Sequence, residues 1–454
     1  MPGSLDFQVQ GGTGALAVPR GAVRVRARIS EERRIAAPVL LARPGYGGTI
    51  AAIRDLAQDQ IPVTVLTESL LDCGRWSNYV SATIPTGPQA DPKALFASLE
   101  KLIQDGTGPV APVLLPSCDT SAWTYAAYAN ELSPHFCLYA PPLETMDRIL
   151  DKGRFETACC DAGVHVLKSW MVWNETAIAL IADTLVFPLI IKPRTHVRRR
   201  RNDKGEVVAN HDQLVSALRR IGRTEKSVDA DCGHANLEGF FLQQFVDVLP
   251  KGVLSVTGFM DRCGTHFVAG AARKILLRSE PAGVGVCFES TPLDPALAEQ
   301  TARLCRRLGY FGVFEVEFVW DGARWAAIDF NPRFFNQMAL DLARGLPLAR
   351  LCYYDAIGDA HRLARLVEQA QAASPEDQLC VRNGFTMAMI LTFRSLTGRM
   401  SRRERLRWRQ WNKSNRAGMK DLMRTWDDPW VWPVHMVSEV RLGLRQLVNL
   451  AKIW

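Results

Sequence analysis

From Pro38 onward, short apolar runs alternate with amphipathic stretches and turns rich in glycine or proline. Pro38–Arg43 reads as a buried strand, and Pro44-Gly45-Tyr46-Gly47-Gly48 turns it into a helix over Thr49–Gln58. Ile61–Leu66 is the next strand. Val113–Leu115 is a third, followed by Pro116-Ser117-Cys118-Asp119 and a helix through Glu131, and Phe136–Tyr139 is a fourth. Apolar strands alternating with helices predict a parallel α/β sheet. The glycine-rich turn could hold a phosphate at a helix N-terminus, although a plain tight turn is the simpler reading.

Pro141-Pro142 marks a boundary. A helix starts at Asp151 and ends near Gly163, Val166–Val172 is strand-like, and Thr176–Asp183 is a helix. Phe187–Lys192 is a strand that ends in a lysine. A basic loop, Arg194–Lys204, leads to a short strand at Glu206–Ala209 and a helix at His211–Arg220. Phe240–Val246 is an apolar strand, and Leu254–Met260 with His266–Lys274 makes an antiparallel pair. Pro295–Leu308 carries Leu297, Thr301, Leu304 and Leu308 on one helical face. After Leu346-Pro347 the pattern is helical, with an apolar helix at Phe385–Leu396, a break at Trp426–Trp430 and a last helix from about Val434 to Trp454. No internal repeat or low-complexity tract interrupts the chain.

The segment from Phe314 to Phe335 carries the most chemistry. Two strand-like runs are joined by Asp321-Gly322, a strong hairpin signal. Side chains alternate along a strand, so Glu315 and Glu317 share one face, as do Asp329 and Asn331. Pairing the strands gathers these oxygens on one surface, where like charges repel unless a cation sits among them. Magnesium, held by a few carboxylates and completed by phosphate oxygens, is the natural candidate. Arg333 adds a fork for phosphate or carboxylate. A hairpin with exposed acids is also a common solvated surface. Here Phe314, Val316, Phe318, Ile328 and Phe330 make the other face strongly apolar.

Composition narrows the class. The chain has 454 residues, 47% of them hydrophobic and 22% charged, which suits a globular protein of two to four domains. No apolar run approaches the roughly 20 residues that span a bilayer. The N-terminus lacks an apolar core behind a basic start, so no secretory signal is expected. The 11 cysteines are scattered without a CxxC pair, which favours reduced thiols over zinc or disulfides and suggests a cytoplasmic protein. The net charge of +8 is concentrated: Ser401–Thr425 holds nine basic and two acidic residues. The rest is nearly neutral, so specific nucleic-acid binding is not expected. The basic, tryptophan-rich stretch 401–454 could instead meet an anionic membrane or a protein partner, or pack on the main body.

The acidic hairpin ending in Asp329-Phe330-Asn331-Pro332-Arg333 resembles the metal-binding end of the ATP-grasp superfamily, in its carboxylate–amine ligase and carbamoyl-phosphate-synthase-like branch. The resemblance covers roughly residues 36 to 360. It implies an α+β ATP-grasp fold preceded by a Rossmann-like parallel-sheet domain and followed by a helical C-terminal extension. The expected boundaries are an N-terminal extension at 1–35, poorly ordered at first; a pre-ATP-grasp domain at 36–140; an ATP-grasp domain at 141–365, with a lid at about 165–245; and a helical region at 366–454.

The resemblance also implies roles. Lys192, at the end of its strand, and Lys152, at the start of its helix, match the two lysines that contact the nucleotide phosphates. A lysine in a first helical turn is otherwise merely solvated. Gln244, Phe245 and Val246 match the hinge strand, where adenine packs on apolar side chains and backbone groups read its edge. Arg273 and Lys274 match an Arg-Lys pair facing the γ-phosphate or acyl phosphate. Glu317, Asp329 and Asn331 are the expected ligands of one or two Mg²⁺, with Mn²⁺ a possible substitute, and Glu315 stands behind them. Arg333 is expected on the transferred phosphate or the substrate carboxylate. The loop Arg194–Lys204 departs from the family's glycine-rich flap, leaving Arg194 and Arg199 as weak candidates.

The implied reaction activates a carboxylate as an acyl phosphate with ATP and passes the acyl group to an amine. The expected partners are a small carboxylate and a small amine, and a homodimer is the expected assembly. A carboxylase or carbamoyl-phosphate-type enzyme using bicarbonate shares the first step. A degenerate ATP-grasp protein that binds a membrane or a partner is the alternative of another class.

Overall fold

The computed structural model describes residues 36–173, 175–195, 197, 205–225, 240–247, 251–279, 283–373 and 379–451; side chains at 175–176, 221–225 and 446–451 are excepted. The chain divides into Met1–Ala36 and Ala37–Trp454, and every described helix and strand belongs to the second unit. The expectations for 1–35, for most of the basic loop including Arg199, and for Trp454 lie outside the described residues.

The first module runs β1 (Val39–Leu41), α1 (Gly47–Ala57), β2 (Val63–Thr67), β3 (Val80–Pro85), α2 (Pro92–Asp105), β4 (Val113–Leu114), α3 (Asp119–Ala127), α4 (Ala129–Leu132) and β5 (Cys137–Leu138). Its sheet is parallel in the order β3-β2-β1-β4-β5. The chain moves outward from β1 to β3 and then returns to β4, so a crevice opens at the carboxyl ends of β1 and β4. At α1 a Cβ on Gly48 would lie 2.5 Å from the Phe335 carbonyl oxygen. The glycine turn therefore serves close packing against residues 335–336, and its phosphate reading is not supported.

Next come α5 (Leu143–Leu150), α6 (Lys152–Asp161), β6 (Ser169–Val172), α7 (Glu175–Ile181), β7 (Leu189–Pro193), β8 (Glu206–Val208), α8 (His211–Glu225) and β9 (Phe240–Gln244). The strands form an antiparallel sheet ordered β6-β9-β7-β8. Ile178 of α7 and Leu214, Ala217 and Leu218 of α8 pack on it.

The remainder comprises β10 (Val253–Met260), β11 (Phe267–Leu277), β12 (Gly285–Thr291), α9 (Pro295–Leu308), β13 (Gly312–Trp320), β14 (Trp325–Asn331), α10 (Met338–Ala343), α11 (Leu348–Ile357), α12 (Ala360–Ala372), β15 (Cys380–Arg382), α13 (Gly384–Leu396), α14 (Arg402–Ser414), β16 (Met419–Asp421) and α15 (Val431–Ala451). Seven strands join in the order β14-β13-β10-β11-β12-β15-β16. α6 and α9 cover one face through Phe155, Leu297 and Leu304 on Val256, Val316 and Phe318. α9 starts at an Asp294 cap with Pro295 behind it and stops at Gly309 in the left-handed region, which is why its sequence bounds hold.

Two expectations change. Residues 366–454 are not helical throughout, because β15 and β16 extend the seven-stranded sheet. The break at Trp426–Trp430 is an anchor: the buried Asp428 accepts from Arg54 Nε at 3.0 Å, Ser77 Oγ at 2.9 Å and the Asn78 amide at 2.9 Å. Among the described residues, no helix is long and apolar enough to cross a membrane.

Candidate functional site

Side chains of the four-stranded and seven-stranded sheets face each other across a cleft lined by both charged and apolar residues. The register places Glu317 opposite Asp329, and Glu315 opposite Asn331, on the cleft side of the seven-stranded sheet. A bulge next to Glu317 lets both Ile328 and Asp329 line the cleft. The hairpin loop is four residues long, Asp321–Arg324, because Trp320 pairs with Trp325 and Asp321 accepts from the amides of Ala323 and Arg324.

Three lysines converge on this floor. Lys152 donates to Asp329 Oδ1 at 2.8 Å. Lys274 donates to Glu317 Oε1 at 2.7 Å and approaches Glu315 Oε1 to 2.9 Å. Burial works against the Lys274 charge, but Glu315 and Glu317 outweigh it and hold the ammonium above its usual range. Glu315 is the mirror case: burial would raise it, yet Lys274 and Arg333 keep it ionised, below the ordinary carboxylate value. Its oxygens also accept from Ser255 Oγ at 2.8 Å, from Asn331 Nδ2 at 3.0 Å and from Gln337 Nε2.

Lys192 comes from the opposite sheet and donates to Gln243 Oε1 at 2.8 Å. Burial pushes its pKa down to about 8, and the nearby Lys152 charge adds to the fall. Lys152 and Lys192 are neighbours because the start of α6 is tied to the end of β7. The Lys152 amide donates to the Arg194 carbonyl at 2.9 Å, and Arg194 Nε pairs with Asp151, the N-cap of α6. Deeper in, Arg333 bridges the modules. Its Nε donates to Asp119 Oδ1 at 2.9 Å, at the start of α3, and its Nη2 donates to Asn331 Oδ1 at 2.7 Å.

No protein-family model matches the sequence. No curated protein matches it either. Solved structures do. A biotin carboxylase from Campylobacter jejuni in a βγ-ATP complex superposes with a TM-score of 0.55 at 16% identity, over 71% of each chain. The biotin carboxylase domain dimer of a Hydrogenobacter thermophilus 2-oxoglutarate carboxylase, with MgADP, ADP and bicarbonate, gives 0.56 at 14% identity, over 71% of this chain and 69% of that one. An L-amino acid ligase from Bacillus licheniformis gives 0.52 at 14% identity, over 72% and 75%. This chain has the ATP-grasp fold.

On the ATP-grasp frame, most of the residues singled out in the sequence come together. Lys152, Lys192, Lys274, Gln244, Phe245, Val246, Glu317 and Asp329 all line the cleft. One expectation needs correction. Arg273 is exposed and paired in register with Leu254 and Glu289. Strand alternation puts it on the face opposite Lys274, away from the cleft. Asn331 is buried beside Glu317, donating to Glu315 at 3.0 Å and to Glu317 at 3.2 Å while its carbonyl oxygen accepts from Arg333. The Phe245 amide donates to the Pro188 carbonyl at 2.9 Å, which ties the hinge strand to the start of β7.

Sequence reading missed Gln243, which buries a polar side chain in the cleft wall beside Lys192, and Asp119, the partner of Arg333. The Gln243-Gln244 pair in an otherwise apolar strand was a usable signal for the first. Only tertiary structure brings Asp119, 214 positions away, to Arg333.

Proposed function

We propose that this protein is an ATP-dependent ligase that activates a carboxylate as an acyl phosphate and couples it to an amine, releasing ADP and phosphate. The observation carrying this is the convergence of Lys152 and Lys192 on a cleft floored by Lys274, Glu317 and Asp329. Counting Glu315, the three carboxylates are matched by three lysines. That set suits a polyanion accompanied by a divalent cation better than either alone.

Glu317 and Asp329 fit Mg²⁺, one or two ions, since both offer hard carboxylate oxygens at the cleft. Mn²⁺ would fit the same donors. Bound there, the metal would neutralise phosphate charge. The lysines would hold the phosphate oxygens, and Phe245 and Val246 would pack on the adenine. Phosphoryl transfer needs mostly positioning and charge neutralisation. A substrate carboxylate oxygen attacks the γ-phosphorus, the bond to the β-phosphate oxygen breaks, and ADP leaves. The amine nitrogen then attacks the acyl carbon, phosphate departs, and the nitrogen loses a proton to solvent or phosphate. Arg333, pinned between Asp119 and Asn331, is the residue we place on the substrate carboxylate side.

The similarity to biotin carboxylases as well as to an amino acid ligase favours one second reading, carboxylation with bicarbonate. ADP release by the purified chain separates them. A ligase sustains ADP release over many turnovers only when both a carboxylate and an amine are supplied. A carboxylase responds to bicarbonate without an amine. Absence of Mg-dependent ADP release under every combination would overturn both. A homodimer is the proposed assembly, to be checked by sedimentation.

A further inference from the structure

Three helices outside the cleft form one layer. Arg405 of α14 donates to Ser395 of α13 at 2.7 Å, and Leu391 of α13 packs with Trp408. On the other side, Thr386 donates to Glu439 of α15 at 3.1 Å, and Gly443 lies against Met389. α13 therefore runs between α14 and α15.

The outward face of this layer is unusual in this molecule. Apart from Leu70, Leu180 and Val186, every exposed Leu, Val, Ile or Phe among the described residues is on these helices. Helical spacing sorts them. On α13 the solvent ridge carries Phe393 and Leu396, the latter 83% exposed. On α15 Val437, Val440 and Leu444 follow one another at three- and four-residue steps, all exposed, while the exposed Leu442 lies off that ridge. The outer ridge of α14 is Arg402, Leu406, Arg409 and Lys413, all exposed, and Arg441 and Arg445 are exposed on α15. Exposed aliphatic and phenyl side chains thus lie among exposed cations, arginine and lysine on α14 and arginine on α15.

We propose that this face docks on an anionic lipid surface. A basic amphipathic surface lies in the bilayer interface with its apolar side chains in the acyl boundary and its long cations reaching the head groups. Complementary charge selects the occupant: the face is cationic, and its apolar side chains are aliphatic or phenyl, without a platform for stacking bases. The cleft and its residues take no part, so this inference stands or falls apart from the ligase reading.

The test is sedimentation of the full chain with phosphatidylcholine vesicles, with and without phosphatidylserine. Binding is expected only to the anionic vesicles and should weaken with salt. R402E/R409E/K413E should lower the partition coefficient at least about tenfold, since each cation near such a surface contributes about 1 kcal/mol. L396S/L406S leaves the charge unchanged and should lower it several-fold. Far-UV circular dichroism and melting temperature should be the same for the wild type and both variants, which reports on folding. Failure to bind anionic vesicles, or binding that neither variant weakens, overturns the proposal. So does lipid-free self-association that L396S/L406S abolishes, since a second copy would then cover this face.

Discussion

Lys192→Met should make the protein more stable near neutral pH and less active at every pH. The lysine's pKa falls from 10.5 to about 8 in the fold. Each unit is about 1.4 kcal/mol, so keeping the ammonium charged costs on the order of 3 kcal/mol. Lys192 is only partly buried, which lowers this to about 2. Removing it also takes a donor from Gln243, a loss of about 1 kcal/mol because that amide borders an open cleft. The net expectation is a gain of about 1 kcal/mol at neutral pH. The sign with pH follows from proton counts. Between about 8 and 10.5 the folded wild type binds fewer protons than the unfolded chain, so its stability rises across that window. The methionine variant's advantage should therefore be full below pH 8, disappear part-way through the window, and become a deficit of about 1 kcal/mol by about pH 10.5. Urea unfolding at several pH values measures it. Turnover should fall by about a hundredfold, the scale of losing one preorganised charge. In the wild type, kcat/KM for ATP should decline above about pH 8, and in Lys192→Arg it should not. A methionine variant less stable than wild type by the same amount at all pH values would refute the reasoning.

Asp329→Asn should cut Mg-dependent ADP release by about a thousandfold, because it lines the cleft, and should lower the melting temperature, because the buried Lys152 loses its charged partner; unchanged turnover would remove it from the metal site. Glu315→Gln leaves Lys274 buried with a single carboxylate and should cost about 3 kcal/mol in chemical denaturation. Gly48→Ala puts a methyl 2.5 Å from the Phe335 carbonyl oxygen and 2.7 Å from its amide nitrogen, both backbone atoms, and should destabilise by about 2 kcal/mol. Arg273→Ala should leave ATP turnover within about twofold of wild type, since its side chain is on the far face of β11.

The strands and helices that bound the cleft were legible because each carries a local signal. α9 has its own cap and stop, and the alternation in β13 and β14 put the acids on one face. Arg273 was misplaced because sequence adjacency to Lys274 suggests shared duty, whereas a pleated strand separates neighbours. Asn331 shares a face with Asp329, as expected, but the sequence does not show that it meets Glu315 across the sheet and Arg333 two residues further along the chain. β15 and β16 escaped notice because each is only three residues long and lies among helices. Their strand character comes from an open sheet edge, which no local pattern announces.

The lysine–carboxylate pairs of the cleft have a thermodynamic consequence. Lys152 already holds Asp329, and Lys274 already holds Glu317. On the proposed reading, a metal arriving alone must displace two ammonium groups, leaving Lys152 without Asp329 and Lys274 with Glu315 alone. A polyphosphate arriving alone must take those ammonium groups and leave two carboxylates facing each other. When both arrive, the partners are exchanged and no charge is stranded. Metal and nucleotide should then bind with strong positive linkage, each raising the affinity for the other by the same factor. The resting ion pairs would act as a lock that opens only to the pair of ligands, so that neither stray metal nor metal-free nucleotide occupies the cleft.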